Sequence, residues 1–401
     1  MPNPLTAASR MKPAEYIALS ACTMMLTALG IDIMLPALSE LRHHFTLDNN
    51  SAATSNIIVF FFMGQVAQLI FGIFSDRFGR LAILQIGFPL YIIGGLVATY
   101  ANSLELMCAA RFVAGMGASA VFTTTIAGVR DRFEGDQMAR IMSLILTIFL
   151  FTPIFAPFLG MLILTVSSWQ MVFLTPPLFG FLIFIWSFRL AESLPPAQRT
   201  RLNWNSLRSS IRQVTGNRTF LRYTVITTLL FSALSSYVSS SERLVGVLYG
   251  EPALFPWIFA AIGLGMSVCT LINSRLSVRW GARRTIRALL LIYTVIAGIL
   301  LLIALLSSNH PGILVFFGGT GVLLSINLAI EPNSSALALE PLGQMAGLAA
   351  SIYGTIFFFI GSLIGAVISQ LMQQSVMPLV ISFFTIGVLS LLLVQKTVHA
   401  K

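Results

Sequence analysis

Charge is what this 401-residue chain has least of: 9% of its residues are Asp, Glu, Lys or Arg, against 56% hydrophobic. Soluble domains carry roughly 25% charged residues, so the composition excludes one of any size and describes a protein made for lipid. Cysteine is nearly absent too. Cys22, Cys108 and Cys269 fall singly in apolar runs, without the spacing of a disulfide framework or a metal knuckle, and read as core thiols. The four histidines, His43, His44, His310 and His399, lie in polar connections or near the end of the chain. No imidazole is left inside the apolar segments to act as a base or hold a metal. A G-x-x-x-x-G-K phosphate loop is missing, so ATP is excluded as the energy source. No enzyme activity, cofactor or metal is expected. The alternation over about ten residues that marks a membrane β-barrel is absent as well.

What the chain does have is twelve long apolar runs, each near the roughly 20 residues that a spanning helix needs. They fall at Tyr16–Leu38, Ala52–Phe74, Leu81–Ala101, Leu104–Val129, Ile141–Val166 and Met171–Phe188, then Leu221–Ser241, Leu254–Asn273, Ile286–Ser307, Gly312–Leu339, Met345–Leu371 and Val376–Val394. The expected fold is an all-α integral membrane protein of twelve transmembrane helices in two pseudo-symmetric six-helix bundles. A cytoplasmic tail (1–15), a first bundle (16–188), a basic linker (189–220), a second bundle (221–394) and a cytoplasmic tail (395–401) follow. The first span contains an acid, is too long for a signal-peptide core and has no suitable cleavage site, so it is expected to be retained.

The net charge of +10 belongs to topology. Of the 24 Lys and Arg, only Arg42, Arg111 and Arg243 lie outside the two tails and the even-to-odd connections. That is the positive-inside pattern, and it puts both termini in the cytoplasm. No basic patch with polar readers beside it suggests nucleic acid. The linker carries Pro195, Pro196 and five arginines between Arg199 and Arg218, and Leu202 to Val214 has the periodicity of an amphipathic helix on the inner leaflet. There each arginine gains about 1 kcal/mol from anionic lipid. A topology anchor is the plain reading of this segment, and a regulatory role the alternative.

The halves repeat. Ser75-Asp76-Arg77-Phe78-Gly79-Arg80 after the second span matches Ser277-Val278-Arg279-Trp280-Gly281-Ala282 after the eighth in four positions: Ser, Arg, aromatic and Gly. Parallel repeats of this kind build transporters. The second copy has lost the acid. Asp32, an isolated carboxylate inside the first span, has Leu234 at its equivalent.

Gly72-Ile-Phe-Ser-Asp76-Arg77-Phe-Gly79-Arg80 resembles the loop signature G-x-x-x-D-R-x-G-R of the major facilitator superfamily. Gly30-Ile-Asp32-Ile-Met-Leu-Pro36 and Arg111-Phe-Val-Ala-Gly115-Met-Gly117-Ala118 resemble first- and fourth-helix motifs of bacterial drug:proton antiporters. Pro157-Phe-Leu-Gly160 is similar to a remnant of their fifth-helix signature, with Ala156 and Met161 in place of two glycines. The stretch Asn333 to Pro341, followed by Ala346-Gly347, is similar to the bicyclomycin/chloramphenicol-resistance (Bcr/CflA) branch. The resemblance implies a multi-pass protein of the bacterial inner membrane that exports small amphipathic or hydrophobic compounds, antibiotics among them, in exchange for protons by alternating access. The expected partners are a small-molecule substrate, protons and membrane lipid; the protein is expected to be a monomer. A dedicated exporter of an endogenous metabolite, such as a siderophore or sugar, is the alternative, and a non-transporting membrane receptor the reading from another class.

An Asp near the bilayer centre costs roughly 2.5–3.5 kcal/mol, so Asp32 calls for a partner or a role. Arg111 lies at a similar depth, about 10 Å below the outer surface at 1.5 Å per residue. The two are either a fixed structural pair or a proton-coupled switch. Glu331 is the third proton-coupling candidate; a site for a cationic substrate and a plain structural hydrogen bond are its other readings. Substrate candidates are Asn56, Phe60, Gln65, Phe155, Tyr237, Asn327, Tyr353 and Phe357. Glu242-Arg243 reads as a solvated or mutually paired gate element at the outer end of the seventh span, and His43-His44, beside Arg42, as a solvated outer turn. The resemblance makes Gly72, Asp76, Arg77, Gly79 and Arg80 a conformational latch, with Asp76 at the start of the eleventh span and the arginines on acids such as Asp131 or Glu134. Pro153, Pro157 and Gly160 are expected to bend the fifth span.

Overall fold

The computed structural model describes residues 11–199 and 204–395. Their secondary structure is helical throughout, and eleven helical segments are long and apolar enough to cross a membrane. The remaining span is the helix Arg218–Arg243, where ten Ser and Thr residues dilute the apolar ones. Helix is what an apolar phase demands, since every backbone N–H and C=O must be paired within the segment.

By contacts the chain divides into two units. The first takes in Met1–Ala37 and Phe60–Leu207. It contains α1 (Pro13–Asp32), the inner part of α3 (Ser55–Gly64), α4 (Gln68–Phe78), α5 (Arg80–Thr99), α6 (Leu104–Arg132), α7 (Gly135–Val166) and α8 (Trp169–Ser187). Here α1 packs on α6, α7 and α8, and α5 on α6 and α8. The second unit takes in Leu38–Val59 and Arg208–Lys401. It holds α2 (Leu38–His44), most of α9 (Trp204–Gly216), α10 (Arg218–Arg243), α11 (Phe255–Trp280), α12 (Ala282–Leu306), α13 (Ile313–Leu339), α14 (Ala346–Thr355), α15 (Gly361–Leu371) and α16 (Met377–Gln395). Its centre is α10, packed on α13, α15 and α16. The amphipathic linker helix read from Leu202–Val214 is α9, although Leu202 itself lies outside the described residues.

The repeat is visible in the backbone. Gly79 ends α4 with φ 102° and Gly281 ends α11 with φ 79°, each in the left-handed region that favours glycine. In both turns the glycine N–H returns to a serine carbonyl, Ser75 at 3.1 Å and Ser277 at 2.9 Å.

Small residues set the tightest packing in the first unit. A Cβ on Gly117 would stand 2.2 Å from the Tyr91 backbone nitrogen and 2.7 Å from the Gly87 carbonyl oxygen; one on Gly115 would stand 2.1 Å from the Phe61 carbonyl oxygen. Backbones that close are possible only without side chains between them, the usual basis of helix association in lipid. The proline-containing α7 runs as one helix through Pro153 and Pro157, and its Gly160 lets the Ile33 carbonyl oxygen approach to where a Cβ would be 2.1 Å away. Gly117→Ala should therefore destabilise the protein by about 1–3 kcal/mol through overpacking, whereas Gly318→Ala, with nothing within 4 Å of the new Cβ, should not. Thermal unfolding of the two purified variants in one detergent checks this contrast.

Candidate functional site

Asp32 is the last residue of α1 and is 5% exposed. The helix ends there for a local reason. Pro36 has no N–H to offer the Asp32 carbonyl, and the chain tightens into a 3-10 turn over Leu35–Ala37. Met34 N–H reaches the Ile31 carbonyl at 3.4 Å rather than that of Gly30, so the Gly30 oxygen is left without a helical donor.

Arg111 fills that gap. Fully buried on α6, it donates from Nη2 to the Gly30 carbonyl oxygen and lays its guanidinium 4.4 Å above the Phe61 ring. It also meets the partly negative C-terminal end of α1, which favours a cation. The ion pair with Asp32 considered from the sequence does not form. Among the described residues no ion pair or hydrogen bond joins the Asp32 carboxyl. Backbone acceptor and aromatic face answer the arginine's charge instead. Beside them Tyr91 donates its hydroxyl to the Leu26 carbonyl at 2.8 Å, which pins α5 to α1. Gln65, 2% exposed, leaves its Nε2 without a partner. Phe60 is half-buried on α3, and Phe155 stands 65% exposed on α7 and pairs with no described ring.

At the turn after α4, Arg80 is the hub. It donates to Asp76 at 2.5 Å, Asp131 at 2.8 Å and Ser75 at 3.0 Å, while Glu192 accepts the N–H groups of Arg80 and Leu81 at 2.9 and 3.2 Å. Of the two acids expected for the arginines, Asp131 is engaged and Glu134 is not. Asp76 also lies one helical turn before Arg80, so their pair bridges the end of α4 and the start of α5. Arg77 lies 5.1 Å over the Phe78 ring, and Gly72 sits within α4. Glu192, which reaches this turn from the linker, carried no sequence signal beyond being an acid in a basic stretch.

In the second unit α13 carries Asn327 and Glu331 one turn apart. Asn327 donates to the Leu230 carbonyl of α10 at 2.6 Å. Glu331 accepts from the Tyr353 hydroxyl of α14 at 3.2 Å. Tyr353 stacks on Phe357 at 5.9 Å, and Phe357 lies 4.4 Å from Phe231 of α10. Tyr237 is buried against Phe259 with its hydroxyl unpartnered. Asn56 accepts from Gln370 at 3.3 Å.

The outer end of α10 overturns an expectation. Glu242 and Arg243 are neither solvated nor paired with each other: they are 8% and 2% exposed. Glu242 accepts two 2.8 Å hydrogen bonds from Arg42 of α2, a bidentate pair, and Arg243 donates to the carbonyls of Met372 at 2.6 Å and Ser369 at 3.1 Å. Arg42 is accordingly buried, while His43 and His44 beside it are exposed as expected.

Two units of long apolar helices, with buried arginines answered inside the protein and both halves marked by one repeated turn, define a polytopic membrane protein of the transporter class. The chain belongs to the Major Facilitator Superfamily, a superfamily of membrane transporters whose fold has twelve helices: a model of that family matches residues 20–366. The chain is 28% identical to a Bicyclomycin resistance protein homolog of Haemophilus influenzae over 90% of each chain. It is also 28% identical to the Multidrug resistance protein MdtL of Shigella dysenteriae over 85% of each. Among solved structures, a D-xylose-proton symporter superposes with a TM-score of 0.73 at 12% identity, covering 96% of this chain and 97% of that one. The human organic anion transporter MFSD10 gives 0.71 at 16% identity, covering 96% and 100%.

Removing one member of a buried ion pair leaves the other uncompensated, at a penalty of about 3–5 kcal/mol. Glu242→Gln or Arg42→Met alone should lower the unfolding temperature clearly, and the double replacement by methionine should recover most of the loss. A double-mutant cycle read by thermal unfolding tests this coupling.

Proposed function

We propose that this protein is a proton-coupled exporter of small amphipathic compounds in a bacterial inner membrane, both termini in the cytoplasm, with bundles 16–188 and 221–394 exchanging access from one side to the other. The names of the relatives, resistance to bicyclomycin and to multiple drugs, support the substrate class. The observation that carries the coupling is the Asp32–Arg111 neighbourhood. An acid locked into an ion pair cannot exchange its proton without breaking that pair. Asp32 is not locked, because Arg111 is committed to the Gly30 carbonyl two residues away. In the exchange cycle Asp32 takes a proton from the outer side and gives it up inward. Arg111 is the group able to leave the carbonyl and meet the ionised acid when substrate has to be released. The planar fork of arginine suits both partners, which a lysine would not.

The other residues divide between this step and its surroundings. Asn56, Phe60, Gln65, Phe155, Tyr237, Asn327, Tyr353 and Phe357 are the proposed substrate contacts. The Gly72–Arg80 turn is the proposed latch of the inner face, with the Arg80 guanidinium joining Asp76 to Asp131 and Glu192 holding the Arg80 backbone N–H. Pro153, Pro157 and Gly160 shape α7 against α1 at the level of the acid.

Asp32→Asn tests the reading in proteoliposomes. Uphill drug movement driven by an imposed pH gradient should fall to background, and exchange of labelled for unlabelled drug without a gradient should persist. Arg111→Lys should impair the gradient-driven mode more than exchange. Undiminished gradient-driven transport by Asp32→Asn would remove Asp32 from the coupling.

A further inference from the structure

Glu331 is the half-buried acid of a spanning helix that the Asp32 step leaves unused. It stands in the inner half of α13, with the Tyr353 hydroxyl donating to it and the Ser335 hydroxyl beside it, and among the described residues no basic side chain lies within ion-pair distance of it. Apart from Asp32, the buried charges described above are answered: Arg243 by two carbonyls, Glu242 by Arg42, Arg111 by a carbonyl and a ring. What adjoins Glu331 is aromatic. Tyr353 and Phe357 lie nearly parallel, 10° apart in plane, and Phe231 meets Phe357 at 4.4 Å and Phe358 at 5.2 Å.

The wall depends on an irregularity. Between α14 and α15 the helix opens into a π-helical turn over Ile356–Ile360, a form frequent at functional sites. It brings two consecutive residues, Phe357 and Phe358, against the one Phe231 ring. Gly361 follows immediately, where a Cβ would stand 2.7 Å from Phe231, so glycine lets the ring sit there.

We propose that Glu331 with Tyr353, Phe357 and Phe231 forms a recognition site for lipophilic organic cations, the carboxylate supplying the counter-charge and the aromatic faces the cation–π and apolar contact. A delocalised cation on an aromatic body satisfies both halves of the site at once; a neutral compound uses only the wall. The proposal rests on the exporter reading for its place in a transport cycle, but binding alone tests it.

The probe is tetraphenylphosphonium, measured by equilibrium dialysis against purified full-length protein in detergent, beside its uncharged relative triphenylphosphine oxide. Glu331→Gln should weaken binding of the cation by about tenfold or more, a difference of roughly 1.4 kcal/mol, and leave the neutral compound within twofold of wild type. Retained neutral binding and an unchanged melting temperature show that the variant is folded. Glu331→Asp, which keeps the charge, should restore part of the cation affinity, and Phe357→Leu should weaken both ligands. Failure of wild type to bind the cation, or equal cation binding by wild type and Glu331→Gln, overturns the proposal. If the cation binds through Glu331 but no compound moves across proteoliposome membranes, the site stands and the exporter reading falls.

Discussion

In hydrocarbon there is no water to finish an incomplete hydrogen bond, and this constraint orders the whole molecule. Arg111 takes the carbonyl that Pro36 and the early end of α1 leave over, and its remaining charge rests on an aromatic ring. Arg243 takes two carbonyls between α15 and the turn after it, while its neighbour Glu242 takes the fork of Arg42. Where charges are answered so consistently, the exceptions stand out. Asp32 has no partner among the described residues, and Glu331 has hydroxyls beside it but no cation. Both are acids, one in each unit, and the functional argument rests on them.

The spans were legible because their apolar runs are long and the polar breaks between them short. Even the linker helix α9 announced itself by periodicity. The charged turn after α4 could be read as a motif, and Asp131 as an acid in reach of Arg80. What escaped was whatever depends on distant chain. Arg42 and Glu242 are 200 positions apart, and nothing local says that a Glu-Arg dipeptide at a helix end will split its partners. The partner of Arg111 was hidden differently. Depth suggested Asp32, whereas the vacancy was a backbone carbonyl, foreshadowed only by a proline four residues after the acid. The π-helical turn over Ile356–Ile360 has no sequence signal that we could name, since its run of Ile and Phe reads as an ordinary apolar helix.

The two copies of the repeated turn separate geometry from charge. Gly79 and Gly281 adopt the same unusual φ and receive the same serine carbonyl, so both turns are built alike. Yet only the first has Asp76 and Arg80, with Asp131 and Glu192 around them. The backbone of the turn is therefore a requirement of joining α4 to α5 and α11 to α12, and the charges differ: a cluster centred on Arg80 at the first, an exposed Arg283–Glu340 pair beside the second. Substituting the glycine and substituting the charges address different properties of the protein.

Helix α10 has ten Ser and Thr residues and yet lies at the centre of the second unit. Many of those hydroxyls donate to carbonyls three or four residues back, as Thr224 does to Phe220 and Thr228 to Thr224 at 2.7 Å. They are hidden only after the helix has formed. During synthesis the nascent segment presents the insertion machinery with a polar, unfolded stretch whose bare hydropathy argues weakly for leaving the aqueous channel. In the folded unit it is α13 and α15 that cover this polar helix. The element at the core of the mature unit is the one least able to board the membrane by itself.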